Sequence, residues 1–255
     1  VAAEHLGRPP TLEAMLAPPP RSDLERVPSL SGAMARVTRM TAQPLPPASS
    51  SRRVILGFDI GSTGSKVVAL DVATRALVWD AYVRTNGSPV DAAQTLARMF
   101  VEADAPSSPV VGLAVTGSGR EIVGSLLSTC FGPDAVYVLN EIAAHARGAC
   151  ELDPRVDTIF EIGGQDAKYI RLVDGRVVDA AMNEACSAGT GSFIEEQGKR
   201  FSGIESIAQL GAQALAASEG VSLGQHCSVF MAEIVDQAIA DGVPQDAVVA
   251  GIYDS

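Results

Sequence analysis

Two short apolar runs in this chain each lead into a glycine-rich turn, and this pair of turns constrains the fold more than any other feature. The first reads GFDIGSTGSK over 57–66, and the second reads EIGGQDAK over 161–168. A strand that ends in a glycine turn gathers successive backbone N–H groups, which suits an anion such as a phosphate. Two such turns, about a hundred residues apart and each with a carboxylate, predict a site that holds both ends of a nucleotide's phosphate chain.

The turns also carry the donors that a phosphate needs. Their glycines can adopt positive φ and have no Cβ, so the N–H groups can face phosphate oxygens; these are Gly61, Gly64, Gly163 and Gly164. Three hydroxyls and one ammonium add side-chain donors: Ser62, Thr63, Ser65 and Lys66. Hairpin turns with incidental polar residues would explain one such turn, but not both. Neither GxxxxGK[ST] nor GxGxxG occurs, so the motifs do not match a P-loop or a dinucleotide fingerprint.

Carboxylates on both turns predict Mg²⁺ beside the phosphates of ATP. Asp59 ends the first strand and is expected to face the ion directly or through its waters, as is Asp166. Glu161, Gln165 and Asp166 lie on the second turn, where they are suited to holding metal-bound water and to orienting the water that attacks the γ-phosphate.

Composition narrows the class of protein. The chain has 255 residues, 47% of them hydrophobic, and a net charge of -11, which argues against a nucleic-acid partner. It contains no run of 18 apolar residues, and its opening VAAEHLGRPP does not resemble a signal peptide, so no membrane association is expected. Four cysteines in a large acidic chain do not suggest a disulfide framework, which predicts a cytoplasmic location; they are Cys130, Cys150, Cys186 and Cys227.

The chain divides into three parts by sequence pattern. Residues 1–52 hold nine of the 15 prolines and are predicted to be a linker or the tail of a preceding unit. Residues 53–153 and 154–255 each begin with a strand, a phosphate turn and a β-meander, followed by helices, which predicts two related subdomains. A long helix is expected after the glycine-rich stretch at 189–191. The chain opens on Val and stops within a helical pattern, so the second subdomain is expected to be incomplete.

Five motifs in order over 54–255 resemble the BadF/BadG/BcrA/BcrD ATPases, the activators of 2-hydroxyacyl-CoA dehydratases and benzoyl-CoA reductases. The motifs are GFDIGSTGSK, TGSGR, NEIAAHARGA, FEIGGQDAKYI and NEACSAGTGSFIEEQ. The resemblance implies an α/β actin-like ATPase fold of the acetate/sugar-kinase, ribonuclease H-like type, with two subdomains around a nucleotide cleft. The form of the third and fifth motifs is most similar to one unit of the large tandem activases.

The resemblance implies roles for particular residues. The first phosphate turn would comprise Asp59 and 61–66, and the second would comprise Glu161 and 163–166. The AGTG stretch adds Gly189, Thr190 and Gly191 to the cofactor-binding residues. Family proteins are expected to couple ATP hydrolysis to electron transfer from a [4Fe–4S] cluster, shared between two protomers, to a partner acyl-CoA dehydratase or reductase. A further glycine-rich segment that packs on adenosine would follow Ser255.

Cys186 matches the position of a cluster ligand in that family, but its expected companion is missing. Small activases have a second cysteine where this chain has Ala144. Four thiolates shared by two ATPase units, in a homodimer or in a tandem pseudo-dimer, require two per unit. Cys150 lies six residues later, about 240° around a helix, so it cannot take over the position. Cys130 is an unsupported substitute, and Cys186 as a small buried thiol is the alternative.

Two other functions remain open on the sequence. One is a small-molecule kinase of the same fold, such as an amino-sugar kinase, although 67–157 offers no convincing general base or substrate insertion. The other is a non-catalytic half of a tandem activase. Among the remaining polar residues, His145 and His226 are expected to be structural, Arg120 is equally suited to phosphate contact and to solvent, and Glu141 is a weaker candidate for the cleft.

Overall fold

The computed structural model describes residue 11 and residues 24–38, 52–103, 108–183, 189–224, 226 and 228–254. The chain divides into two compact units, one formed by 1–38 with 193–255 and the other by 39–192. The predicted division at 153/154 stays a prediction.

The described residues form strands and helices that are numbered here in chain order. The strands are β1 (Arg26–Pro28), β2 (Val54–Ile60), β3 (Gly64–Asp71), β4 (Leu77–Arg84), β5 (Val110–Thr116), β6 (Val136–Val138), β7 (Thr158–Ile162), β8 (Ala167–Val173), β9 (Arg176–Met182) and β10 (Glu219–Val221). The α-helices are α1 (Pro89–Glu102), α2 (Arg120–Phe131), α3 (Glu141–Leu152), α4 (Gly191–Gly198), α5 (Ile207–Ala216), α6 (Ser228–Ala240) and α7 (Gln245–Asp254). Two 3₁₀ helices cover Leu30–Arg36 and Pro133–Ala135. None of these described helices is long and apolar enough to cross a membrane.

A five-stranded sheet of order β4-β3-β2-β5-β6 is the centre of the unit 39–192. β2, β3 and β4 form an antiparallel meander, whereas β5 and β6 run parallel to β2. Alternate residues of β2 are buried, which is the pattern of a strand with one covered face. Leu96 and Phe100 of α1 pack in the same core, where Phe100 meets Trp79 edge to face at 5.2 Å.

The second sheet of this unit is the antiparallel meander β7-β8-β9. Its β8–β9 turn uses Asp174 and Gly175, both at positive φ, as the Asp-Gly pair predicted. Helix α3 covers one face, with Ala146 in a core that includes Ile170 and Leu172. The Asn140 side chain caps the start of this helix by accepting a hydrogen bond from Ile142 N at 2.9 Å. The cap fixes the first turn of α3, which matters for the site below.

The unit 1–38 with 193–255 has its own core. β1 pairs antiparallel with β10, so a short strand lies within the proline-rich stretch. Val221, Val235 and Val248 are fully buried, and every residue of 247–252 in α7 is buried. The predicted long helix after the glycine-rich stretch is wrong, because α4 ends at Gly198 after eight residues and a turn with Gly203 at positive φ leads to α5.

Candidate functional site

Both glycine turns open on one cleft of about 320 Å³ in the unit 39–192. Ten of the residues that the sequence predicted for the two turns line it: Asp59, Gly61, Ser62, Thr63, Gly64, Lys66, Glu161, Gly163, Gly164 and Asp166. The two aspartates, one from each turn, therefore share a single cavity. Had they lain on unrelated surfaces, the two turns could not have acted together.

The turns meet at Gly164 and Thr63. A Cβ added to Gly164 would collide with Oγ1 and Cβ of Thr63, and one added to Gly61 would lie 2.7 Å from the carbonyl oxygen of Gly64. None of the four predicted glycines has positive φ, so the expectation that they use the left-handed region is wrong. Their lack of a side chain is what matters, because it lets the backbones approach closely.

Thr85 fixes the first turn, and sequence reasoning missed it. Its backbone N–H donates to the Thr63 carbonyl at 3.0 Å, and its Oγ1 donates to the Gly61 carbonyl at 2.6 Å. Ser65 Oγ lies 2.8 Å from Thr85 Oγ1 and is fully buried, so Ser65 donates to Thr85 and cannot donate to a phosphate as predicted. The alternation of β3 explains the difference, since Gly64 and Lys66 face the cleft and Ser65 faces the opposite side.

A second support lies beneath Asp59. Gly117 has φ +89°, and a Cβ there would lie 2.8 Å from Asp59 Oδ1 and 2.5 Å from the Ile60 carbonyl oxygen. The Ile60 carbonyl accepts a hydrogen bond from Gly119 N at 2.8 Å. Gly117 and Ser118 both line the cleft. The TGSGR stretch thus packs its backbone against the carboxylate, while Arg120 donates to the Gly117 carbonyl at 3.2 Å and does not line the cleft.

On the second turn, Lys168 lies among three carboxylates. Its Nζ is 2.8 Å from Asp166 Oδ1, 2.9 Å from Glu161 Oε2 and 3.3 Å from Glu141 Oε1, and its side chain is 3% exposed. Burial alone would lower the pKa of Lys168, but hydrogen bonds to Asp166 and Glu161 and the charge of Glu141 outweigh it and raise that pKa above its ordinary value. Lys168 is therefore charged throughout the physiological range.

The two hairpins share a pattern. Asp59 pairs across the ladder with Lys66, and Glu161 pairs with Lys168, each lysine seven residues after its acid. An acidic residue, then Ile-Gly, then Lys at this spacing is a signal in the sequence that could have identified Lys168. Lys66 Nζ lies 3.3 Å from Asp59 Oδ2, with the two side chains 56% and 38% exposed.

Helix α3 contributes two residues that the sequence ranked low. Glu141 and His145 are one helical turn apart, and both line the cleft. The cap by Asn140 and the packing of α3 on β8 bring this face of the helix to the second turn. His145, expected to be structural, is therefore available to a ligand in the cleft. His226 is exposed.

Besides Ser65, four described residues that were predicted for the site lie outside the cleft lining. They are Gln165, which is exposed, and Gly189, Thr190 and Gly191. Gly191 N donates to the Gly163 carbonyl at 3.1 Å, and Ser192 N donates to the Gly164 carbonyl at 2.7 Å. The backbone at Gly191 and Ser192 is thus joined to the second turn.

The thiols do not gather in the described parts of the chain. Cys130 is exposed in the last turn of α2, and Cys150 packs in the core between α3 and β8. Cys186 and Cys227 lie outside the described residues. Ala144 lines a separate apolar cavity of about 290 Å³, with Tyr137 and Leu139. Among described residues, no three His, Cys, Asp or Glu side chains are arranged to hold a metal ion on their own.

The cleft combines hard oxygen donors with hydrogen-bond donors. Asp59 and Asp166 are carboxylates of the kind that Mg²⁺ prefers, and two carboxylates suffice when water and phosphate oxygens complete an octahedron. Lys66, Ser62 and Thr63 face the same space and can neutralise and bind phosphate oxygens. The residues present therefore fit a nucleotide phosphate chain with its magnesium ion.

Comparisons with known proteins agree with this chemistry. Residues 56–255 match the model of the BadF/BadG/BcrA/BcrD ATPase family. The chain is similar to the 2-hydroxyisocaproyl-CoA dehydratase activator of Clostridioides difficile, with 32% identity over 206 residues that cover 78% of this chain and 71% of that protein.

Two solved structures are similar as well. One is the activator of the 2-hydroxyisocaproyl-CoA dehydratase from Clostridium difficile with bound ADPNP, at 30% identity and a TM-score of 0.63, covering 78% of this chain and 70% of that one. The other is component A of the Acidaminococcus fermentans (R)-2-hydroxyglutaryl-CoA dehydratase, at 25% identity and a TM-score of 0.64, covering 79% and 73%.

Proposed function

Because the chain belongs to the BadF/BadG/BcrA/BcrD ATPase family, we propose that it binds Mg·ATP in the cleft between its two glycine turns and hydrolyses it to activate an acyl-CoA dehydratase or reductase. Its fold is the α/β actin-like ATPase fold that the sequence predicted. The observation that carries the proposal is the single cleft lined by both turns and by Asp59, Glu161 and Asp166. The similar structure with bound ADPNP supports ATP as the ligand.

The roles follow from the positions of the side chains. Lys66 is exposed beside the first turn and serves as the point charge for a phosphate oxygen, with Thr63 and Ser62 as hydroxyl donors. Asp59 and Asp166 would hold Mg²⁺, which when bound neutralises charge on the transferred phosphoryl group. Glu161 is the candidate for orienting the attacking water, since it lines the cleft, whereas Gln165 is exposed and its predicted role stays a prediction.

Phosphate release measured at varied Mg²⁺ tests the ATPase proposal. Asp166→Asn should lower turnover by about a hundred-fold or more, as loss of a metal-facing carboxylate does. Asp157→Asn is the matched control, because Asp157 is exposed and lies outside the cleft lining. Equal rates for Asp166→Asn and the parent protein would refute the assignment. Nucleotide affinity that does not change when Asp59 and Asp166 are replaced would refute it as well.

We further propose that the activated partner is an acyl-CoA dehydratase or reductase protein. This chain would bind it in the cytoplasm as a homodimer or as part of a tandem pseudo-dimer. Support comes from the similar proteins, which are dehydratase activators. Binding to a purified partner, measured with ADP and with a non-hydrolysable ATP analogue, tests it. A partner that binds equally well in both nucleotide states would contradict an ATP-driven activator.

A [4Fe–4S] cluster held by Cys186 is the remaining part of the proposal. Among the described residues, position 144 is Ala, Cys150 packs in a core, and Cys130 is the exposed thiol. Anaerobically purified protein should show a broad visible band that bleaches with dithionite and disappears in Cys186→Ala but not in Cys130→Ala. Colourless protein with active hydrolysis would remove the cluster and keep the ATPase.

A further inference from the structure

Lys168 differs from an ordinary surface lysine in how completely its ammonium is used. An ammonium has three N–H groups, and Lys168 has three carboxylate oxygens within 3.3 Å. The side chain is 3% exposed although it lines the cleft. A phosphate oxygen can reach this ammonium only by displacing one of the carboxylates. Lys168 is therefore built to bind carboxylates and not the nucleotide.

The three partners come from separate parts of the chain. Glu161 lies near the end of β7, Asp166 lies in the turn that follows, and Glu141 begins helix α3. A Cβ added to Gly163 would lie 3.1 Å from Glu161 Oε1 and 3.2 Å from Asp166 Oδ1, so both carboxylates close around the backbone of this glycine. One ammonium thus joins the turn, the strand before it and the adjacent helix.

The charges of this group do not cancel. Three carboxylates and one ammonium leave two negative charges, whereas Asp59 and Lys66 on the first turn cancel each other. A residual charge of two matches one divalent cation. Without Lys168 the same carboxylates would carry three negative charges in a partly buried space, where they would repel one another and move apart.

Resting on the proposed ATPase function, we propose that Lys168 is a positioning residue for that reaction: its ammonium fixes Glu161 and Asp166 through direct ion pairs and sets the charge that a single Mg²⁺ meets in the cleft. Glu141 is its third partner and ties the group to helix α3. Lys66 has one carboxylate partner and an exposed side chain, and remains the phosphate-binding lysine. The two lysines therefore have different tasks.

The test measures the affinity of the nucleotide-free protein for Mn²⁺. Binding is monitored by the decrease in the electron paramagnetic resonance signal of free Mn²⁺. Lys168→Met adds one net negative charge beside the site and should tighten Mn²⁺ binding by about ten-fold or more. Glu141→Gln removes one negative charge and should weaken binding by a similar factor. Lys168→Arg keeps the charge and should remain close to the parent protein. Lys199→Met, at an exposed lysine outside the cleft, is the control.

Turnover provides the second readout. Lys168→Met should lower kcat about ten-fold or more, with a lower half-saturating Mg²⁺ and little change in KM for ATP, because orientation of the carboxylates is lost while phosphate contacts remain. Lys168→Arg should recover much of kcat.

The outcomes separate the two proposals. Unchanged Mn²⁺ affinity in both Lys168→Met and Glu141→Gln would overturn the positioning role, and so would a higher KM for ATP with unchanged metal dependence, which identifies a phosphate ligand. If Lys168→Met does not fold, the other two variants still test the proposal. Glu141→Gln should bind Mn²⁺ more weakly than the parent protein, and Lys168→Arg should bind it about equally well. Shifted Mn²⁺ affinities without ATP hydrolysis would refute the ATPase and leave only the part of the proposal in which Lys168 sets the charge that a metal ion meets.

Discussion

The hairpin β2–β3 and the hairpin β7–β8 carry the same acidic-Ile-Gly pattern with a lysine seven residues on, yet their lysines lie in opposite environments. Lys66 has one partner at 3.3 Å and is 56% exposed, whereas Lys168 has three partners and is 3% exposed. The ladder pairing is the same in both. What differs is the surroundings, since Asp166 and helix α3 close around the second lysine. Local sequence thus places a lysine beside a turn, and the packing around it decides whether a ligand can reach it.

The largest expected effect comes from removing each lysine in turn. Lys168→Met leaves three carboxylates without their shared cation and should lower the free energy of unfolding by about 3–5 kcal/mol. Lys66→Met breaks one exposed pair and should cost about 1 kcal/mol or less. Urea unfolding of both variants checks this. Similar losses for the two would mean that burial does not distinguish them.

The contact between the hairpins offers the next test. Gly164→Ala places a Cβ against Thr63 and should destabilise the protein by about 1–3 kcal/mol while also weakening nucleotide binding, since Thr63 has to move. Gly148→Ala is the control, because no atom lies within 4 Å of a Cβ there and Ala favours a helix. Calorimetric unfolding with and without ATP measures both effects. A neutral Gly164→Ala would show that the turns do not touch in solution.

Thr85 supports the first hairpin alone. Thr85→Val keeps the shape but removes the hydroxyl that donates to the Gly61 carbonyl and accepts from Ser65, and should cost about 1–3 kcal/mol. Ser128→Ala, at a site outside the cleft lining, is a suitable control. Hydrogen exchange of the amides at 61–64 should quicken in Thr85→Val while 163–166 stays protected. Faster amide exchange in both turns of Thr85→Val would contradict the view that Thr85 supports the first turn alone.

The smallest expected effect is a pH dependence confined to the first meander. Hydrogen bonds from the Thr74 and Ala73 backbones, with the charge of Arg52, hold the pKa of Asp71 below its ordinary value of 3.8. A carboxyl whose pKa is lower in the folded state stabilises the fold above its unfolded pKa, and that contribution is lost as the pH falls through the folded pKa. Asp71→Asn should therefore flatten the stability profile below about pH 4. If the fall in stability at low pH is the same in Asp71→Asn as in the parent protein, Asp71 does not contribute to it.

Much of the strand order could be predicted because alternation and turn residues are local signals. β2, β3 and β4 follow from their apolar alternation, and Asp174-Gly175 predicts its own turn. The apolar pattern after residue 191 predicts a long helix, but the helix ends at Gly198. The apolar pattern alone does not show where a helix stops.

The site was predicted where it depends on the turns and missed where it depends on packing. Asp59 and Asp166 follow from the motifs, and Ser65 could have been excluded by strand alternation. Glu141 and His145 are brought to the cleft, and Thr85 is brought to the first turn, by contacts between elements far apart in sequence. No local pattern in the sequence indicates that helix α3 lies against β8. For this reason Glu141 and His145 are only weak candidates on the sequence, and Thr85 is not a candidate at all.

Four carbonyl oxygens of the two turns already accept hydrogen bonds. Thr85 covers the Gly61 and Thr63 carbonyls, and the amides of Gly191 and Ser192 cover those of Gly163 and Gly164. A neutral polyol needs acceptors as well as donors, and each of these four carbonyls has one lone pair fewer to offer it. A polyanion needs no acceptor, so it loses no contact when these carbonyls are occupied.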